Sequence, residues 1–262
     1  MKTHSRSFGH GSRQALAIHC ALAHSGVWHG LAAVLGDQLT LHAIDLPGHG
    51  RSDDWDGQTD LCRLSTQAAL TRMTEPMDVV GHSFGAVIAL RVAAERPALV
   101  RSLTLIEPVF FAAAARDAPD RMAAYEALAT PCFDALERGE PVVATRAFNR
   151  MWGDGTEWQD IPPATRDYLV DRIHLVQGQA PGIVHDNAGL LAPDILPKAN
   201  MPCLMIQGSE APDIIYAIVD SLCTRLPNVR RVCIDGAGHM APLTHAEAVA
   251  KEMRALLKMT EE

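Results

Sequence analysis

Short runs of consecutive apolar residues alternate along this chain with longer stretches whose apolar positions recur at helical spacing. Runs at 14–20, 39–45, 78–81, 102–106, 203–207 and 231–234 read as strands, and 27–35, 85–95, 214–226 and 245–257 read as helices. The last of these places Ala246, Val249, Ala250, Met253 and Leu257 on one buried face. Strand and helix in regular alternation predict an α/β fold with a mostly parallel central sheet flanked by helices.

The rhythm breaks between 108 and 198. Helical pieces at 116–136, 140–151 and 163–176 are separated there by Gly, Pro and Trp, and no strand of comparable clarity occurs. The alanines at 112–115 read as the start of a helix rather than a linker. This pattern predicts a helical cap, 108–198, inserted into a core formed by 1–107 and 199–262. Only about a dozen residues precede the first clear strand.

A chain of 262 residues can bury a core large enough to need no disulfide or metal staple. Its six cysteines are scattered without CxxC spacing, so neither a zinc site nor a disulfide framework is expected; Cys203 and Cys233 lie in strand-like runs as small hydrophobes. The net charge of −8, with no dense Lys/Arg cluster, argues against nucleic acid and anionic membranes as partners. No apolar run approaches a membrane span, and the polar start Met1–Arg6 lacks a signal core. A cytoplasmic protein, monomeric or homodimeric, is the expectation.

One motif carries candidate chemistry: Gly81-His82-Ser83-Phe84-Gly85. As three fixed letters it is weak. Its setting makes it specific, because it follows an apolar strand (Met77-Asp78-Val79-Val80) and opens an apolar helix (Ala86 to Leu90). A serine at the tip of such a turn needs φ > 0, and the close approach of strand and helix leaves room only for glycine on either side. The helix N-terminus beneath it favours developing negative charge.

With this motif, the stretch Asp45 to Ser52 (DLPGHGRS), His19-Cys20 after the first strand, and Gly236-Ala237-Gly238-His239, the chain resembles the α/β-hydrolase superfamily over nearly its whole length. The resemblance is to its capped, serine-nucleophile esterase, lactonase and carbon–carbon-bond hydrolase branches. It implies Ser83 as nucleophile and His239 as base, the latter in a Gly-rich loop after the last strand. His82, His19 and His49 read better as packing or hydrogen-bonding residues.

The acid is less direct. Most relatives carry it after the penultimate strand, where this chain has Gly208-Ser209-Glu210-Ala211-Pro212-Asp213 and the matching position is Ala211. A second branch places it at the end of the strand following the elbow helix, which points to Glu107. Asp213 and Glu210 remain as alternative acids, and a purely structural Glu107 is the competing reading.

The resemblance also implies an oxyanion hole from the amides of Phe84 and Ala21, an aromatic near the pocket at Trp28, and no cofactor or metal. Cys20 stands where relatives usually have glycine, without a base beside it to make it a nucleophile. Phe110, Phe111, Phe148, Met151, Trp152 and Trp158 would roof the pocket. The function expected is hydrolysis of a small or medium ester, lactone or related acyl compound through an acyl-enzyme. A carbon–carbon-bond hydrolase with the same triad, or a non-catalytic ligand-binding protein favoured by Ala211, is the alternative.

Overall fold

The computed structural model describes residues 1–260. Seven strands, β1 (Ser5–Phe8), β2 (Arg13–Ile18), β3 (Leu39–Ile44), β4 (Met77–His82), β5 (Val100–Ile106), β6 (Cys203–Gly208) and β7 (Val229–Ile234), form one sheet in the order β1-β3-β2-β4-β5-β6-β7. Every pairing is parallel except β1 with β3. The six expected strands are present with ends shifted by a residue or two. The seventh, β1, is a short edge strand: its four residues, Ser-Arg-Ser-Phe, carry too little pattern to read as a strand from the sequence.

Around the sheet lie α1 (His29–Leu35), α2 (Leu61–Leu70), α3 (Phe84–Glu95), α4 (Phe111–Asp117), α5 (Pro119–Glu137), α6 (Pro141–Trp152), α7 (Pro163–Arg172), α8 (Leu175–Ile183), α9 (Asp213–Cys223), α10 (Ala241–Thr244) and α11 (Ala246–Lys258). The sequence pattern misses α2, because Ser65 and Thr66 sit on its buried face and dilute the apolar stripe. Its start is legible afterwards in Asp60, whose carboxylate accepts the Arg63 N–H at 3.0 Å as an N-cap.

Alternation along the strands divides the core. Leu16, Ile18, Val79, Leu103, Leu105 and Met205 pack with α3 and α9, while Ala15, Ala17, Leu41, Val80, Leu204 and Ile206 pack with α1 and α11. Both faces are covered, which is why the strands read as continuous apolar runs. Between β5 and β6 the chain forms α4–α8, with α4 separated from α5 at Pro119 and α7 from α8 at Ile173.

The far end of the sheet is held by a clamp. Asp78 accepts bonds from Arg13 (2.5 and 2.8 Å), Arg101 (3.2 Å) and the Ser102 hydroxyl (2.6 Å). Arg13 also reaches the carbonyls of Leu257 and Thr260, tying β2 and β4 to the end of α11. Removing one partner of a buried pair strands the other charge, so Asp78→Ala is expected to cost about 3–5 kcal/mol of unfolding free energy, read from urea denaturation.

Candidate functional site

β4 ends in the turn that holds Ser83, whose φ of 56° and ψ of −117° lie outside the usual regions for a residue with a side chain. Neighbouring backbone enforces that turn. A Cβ at Gly81 would strike the carbonyl of Gly85, and one at Gly85 would strike that of Ile18. Ser83 donates its N–H to Ile106 O at 2.9 Å, so the turn is stitched to the end of β5.

Glu107 follows at the end of β5. Its φ is 51°, again in the left-handed region, and its N–H donates to Ile206 O at 2.9 Å. The carboxylate is fully buried. One oxygen accepts the Gly208 N–H at 2.6 Å, and the other lies 3.2 Å from His239 Nδ1. His239 Nε2 in turn lies 2.9 Å from Ser83 Oγ. The chain of contacts is therefore Ser83 Oγ–H to Nε2, then Nδ1–H to Glu107.

His239 is carried on the loop between β7 and α10. His82 Nε2 donates to the His239 carbonyl at 2.8 Å, and Glu210 N–H donates to Ala237 O at 2.8 Å, bracing the loop from two sides. Trp152 of α6 presents an edge-to-face contact to the His239 ring, centroids 4.6 Å apart. Burial pushes His239 down to about 3 and Glu107 up to about 8, the latter opposed by the Gly208 N–H. Each buried partner resists charge.

The alternative acids are not brought to His239. Asp213 begins α9 with its side chain 73% exposed, 3.5 Å from the Arg121 guanidinium. Glu210 is exposed and contributes only its backbone. His19 and His49 take structural roles as expected: His19 bridges Cys20 O (2.7 Å) and Leu46 N–H (3.0 Å), and His49 donates to Pro47 O (2.9 Å). Burial raises the Cys20 thiol to about 12, far from a thiolate nucleophile.

Ser83 opens onto a cavity of about 350 Å³ lined by Ala21, Val109, Phe111, Met122, Tyr125, Phe148, Met151, Trp152 and the face of α8. A smaller recess of about 100 Å³ shares Ser83 and Ala21 and adds His239, Met240, Asn149 and Leu169. Among the described residues, no acceptor takes the N–H of Phe84 or of Ala21. Four of the six expected roof residues line the cavity. Phe110 is fully buried in the core instead, and Trp158 lies under Arg166, its ring 6.0 Å from the guanidinium.

Trp28 is a correction. It ends a 3-10 turn, Ser25–Trp28, that leads into α1, and its ring goes down with Leu31, Ala32 and Leu35 into the core on the opposite face of the sheet. It lines neither cavity. The contacts that sequence reasoning missed, Trp152 against His239 and Gly208 N–H on Glu107, depend on chain folding and leave no local signal.

Comparison with known proteins agrees with this architecture. Residues 15–252 match the family model for the alpha/beta hydrolase family. The chain is 28% identical over 262 residues to lipase LipV of Mycobacterium tuberculosis, covering 94% of each chain. It is 29% identical over 252 residues to a pimeloyl-acyl-carrier-protein methyl ester esterase of Nitrosomonas europaea, covering 93% of this chain and 95% of the relative. Among solved structures, a serine hydrolase from Cycloclasticus zankles superposes with a TM-score of 0.75 at 16% identity, covering 99% of this chain and 95% of that one. With its sheet order, its helices on both faces and a family match running from β2 into α11, the chain belongs to the alpha/beta hydrolase family.

Proposed function

We propose that this protein is a serine carboxylic ester hydrolase in which Ser83 is the nucleophile, His239 the base and Glu107 the acid. The observation that carries the reading is the unbroken contact chain from Ser83 through His239 to Glu107, opening on an apolar cavity. Relatives named lipase and methyl ester esterase support the same substrate class. Residues 108–198 serve as the cap that shapes the pocket.

Ser83 Oγ attacks the acyl carbon as His239 Nε2 takes its proton. The N–H groups of Phe84 and Ala21 hold the oxyanion, each contributing roughly 3 kcal/mol in the transition state. The imidazolium then gives its proton to the leaving oxygen. That oxygen must therefore lie on the side of Ser83 where His239 is, in the 100 Å³ recess, and the acyl chain occupies the 350 Å³ cavity. Water activated by His239 releases the acid. No helix among the described residues is long and apolar enough to cross a membrane, and six free thiols fit a reducing, cytoplasmic compartment.

Labelling by a fluorophosphonate, followed by intact mass, tests the nucleophile without knowledge of the substrate. One probe adduct on Ser83 together with turnover of some methyl or p-nitrophenyl ester between acetate and dodecanoate is expected. An unlabelled protein that leaves the whole ester panel intact would overturn the reading in favour of a ligand-binding role.

The pH profile is a second test. Turnover needs neutral His239 with its Nδ1–H directed at ionised Glu107. The last proton to leave the pair comes from a carboxyl held up at about 8, so kcat/KM should rise with pH through one ionisation well above the usual carboxylate range. Glu107→Gln should remove that limb and leave a low, flat profile. Stability follows the opposite sign. A carboxyl raised on folding contributes stability below 4.5 that is lost as pH rises through about 8, so the wild-type urea midpoint should fall over that window relative to Glu107→Gln.

A further inference from the structure

The wall that α8 gives the acyl cavity is apolar with one polar exception. α8 and its C-cap turn Val176, Gln179, Ala180, Ile183 and Val184 toward the cavity, at the i, i+3, i+4, i+7, i+8 spacing of a single helix face. Four of these are apolar. Gln179 is only 2% exposed, and its side-chain Nε2 meets no acceptor among the described residues. Its backbone carbonyl is taken by the Cys62 thiol, and glycines on either side (Gly178 against Trp55, Gly182 against Cys62) fix the opposite face of α8 on the core. The helix therefore cannot roll to turn the amide outward.

A buried amide donor left without a partner is destabilising, and native proteins seldom retain one unless something bonds to it. Gln179 is itself among the residues that line the cavity, so a turn of its carboxamide brings the donor to the cavity's edge. The exposed lip of that cavity carries Glu126 and Asp134 from α5, two carboxylates eight residues apart on one helix face. They disfavour an anionic chain end.

We propose that Gln179 is a specificity-determining residue that donates a hydrogen bond from its carboxamide to an uncharged oxygen partway along the acyl chain, so that the preferred substrates are esters of oxygen-substituted, medium-length acids. The inference rests on the hydrolase reading for its assignment of the acyl side. An unsubstituted chain fills the same space but leaves the amide unbonded, and a neutral carbonyl or ether at the right position completes it.

The test compares methyl octanoate with its mono-oxo isosteres, the carbonyl moved one carbon at a time, and with the methyl half-ester of octanedioic acid. Hydrolysis is followed in a pH-stat for wild type and Gln179→Met. One oxo isomer should exceed methyl octanoate in kcat/KM by about tenfold in wild type, the effect of one good hydrogen bond. Gln179→Met should erase that preference while raising kcat/KM on methyl octanoate. No favoured oxo isomer, an equal preference in both proteins, or a preference for the carboxylate-ended half-ester overturns the proposal. Calorimetric binding of the same esters to Ser83→Ala protein separates the two readings. An oxo preference in binding, abolished in the Ser83→Ala/Gln179→Met double variant, stands even where no ester is cleaved; equal binding of oxo and plain chains overturns it.

Discussion

Ser83→Ala protein is expected to lose about 10⁶-fold in kcat on whichever ester the wild type hydrolyses best, and to take up no fluorophosphonate. The size of the effect follows from how the three groups act together. Without the hydroxyl there is nothing for His239 Nε2 to deprotonate, and the buried imidazole and carboxylate become spectators. The two unoccupied amides of Phe84 and Ala21 and the cavity survive, so a residual rate of about 10³-fold over water is expected from oxyanion binding alone. Substrate affinity should persist, because the walls of the 350 Å³ cavity are untouched. A variant with wild-type fold by circular dichroism that still turns over ester within tenfold of the parent would move the nucleophile elsewhere.

Glu107→Gln carries the next largest effect, a loss of about 10⁴-fold in kcat with KM little changed. Gln presents one carbonyl oxygen and one NH2 where Glu107 presents two acceptors. The bond to Gly208 N–H at 2.6 Å will hold the oxygen, which turns the NH2 toward His239 Nδ1. Nδ1 must then accept, the ring proton shifts to Nε2, and the atom that should receive the Ser83 proton already bears one. Asp213→Asn and Glu210→Gln should leave kcat unaltered, since one side chain is paired with Arg121 at the surface and the other is exposed. A structural carboxylate would behave otherwise. Its loss would lower thermal stability in step with activity, whereas the tautomer argument predicts a collapse in kcat with no loss of Tm.

Most of the candidate site could be read from the chain because its parts are bound to local patterns. Strand, Gly-x-Ser-x-Gly and apolar helix must be contiguous for Ser83 to reach its backbone angles, and that contiguity is visible in one dimension. His239 is legible from its Gly-rich loop. Glu107 was legible only by elimination at Ala211 together with resemblance, since a carboxylate at a strand end looks the same whether it accepts from an imidazole or from an amide. Trp28 misled because an aromatic two turns beyond the first strand can pack on either side of the sheet, and the choice is made by α1, whose buried stripe draws it to the far face. Trp152 was legible as part of the roof but not as a neighbour of His239, and Gln179 gave no sign at all. Those contacts arise where α6 and α8 line the cavity beside Ser83, a meeting that no window along the sequence contains.

The order of the sheet has a consequence for how this protein behaves at high concentration. An open sheet exposes two edges, each a template for a strand from another molecule, and the chain guards them differently. At one side the last strand is β1, only four residues long and too short to recruit a stable partner. At the other, β7 sends Arg230 and Arg231 to opposite faces, anchored to Glu252 of α11 and to Asp220 of α9, so that an approaching strand meets a charged pair on either face. Brevity protects one flank and charge the other, which disfavours edge-to-edge pairing while the fold is intact.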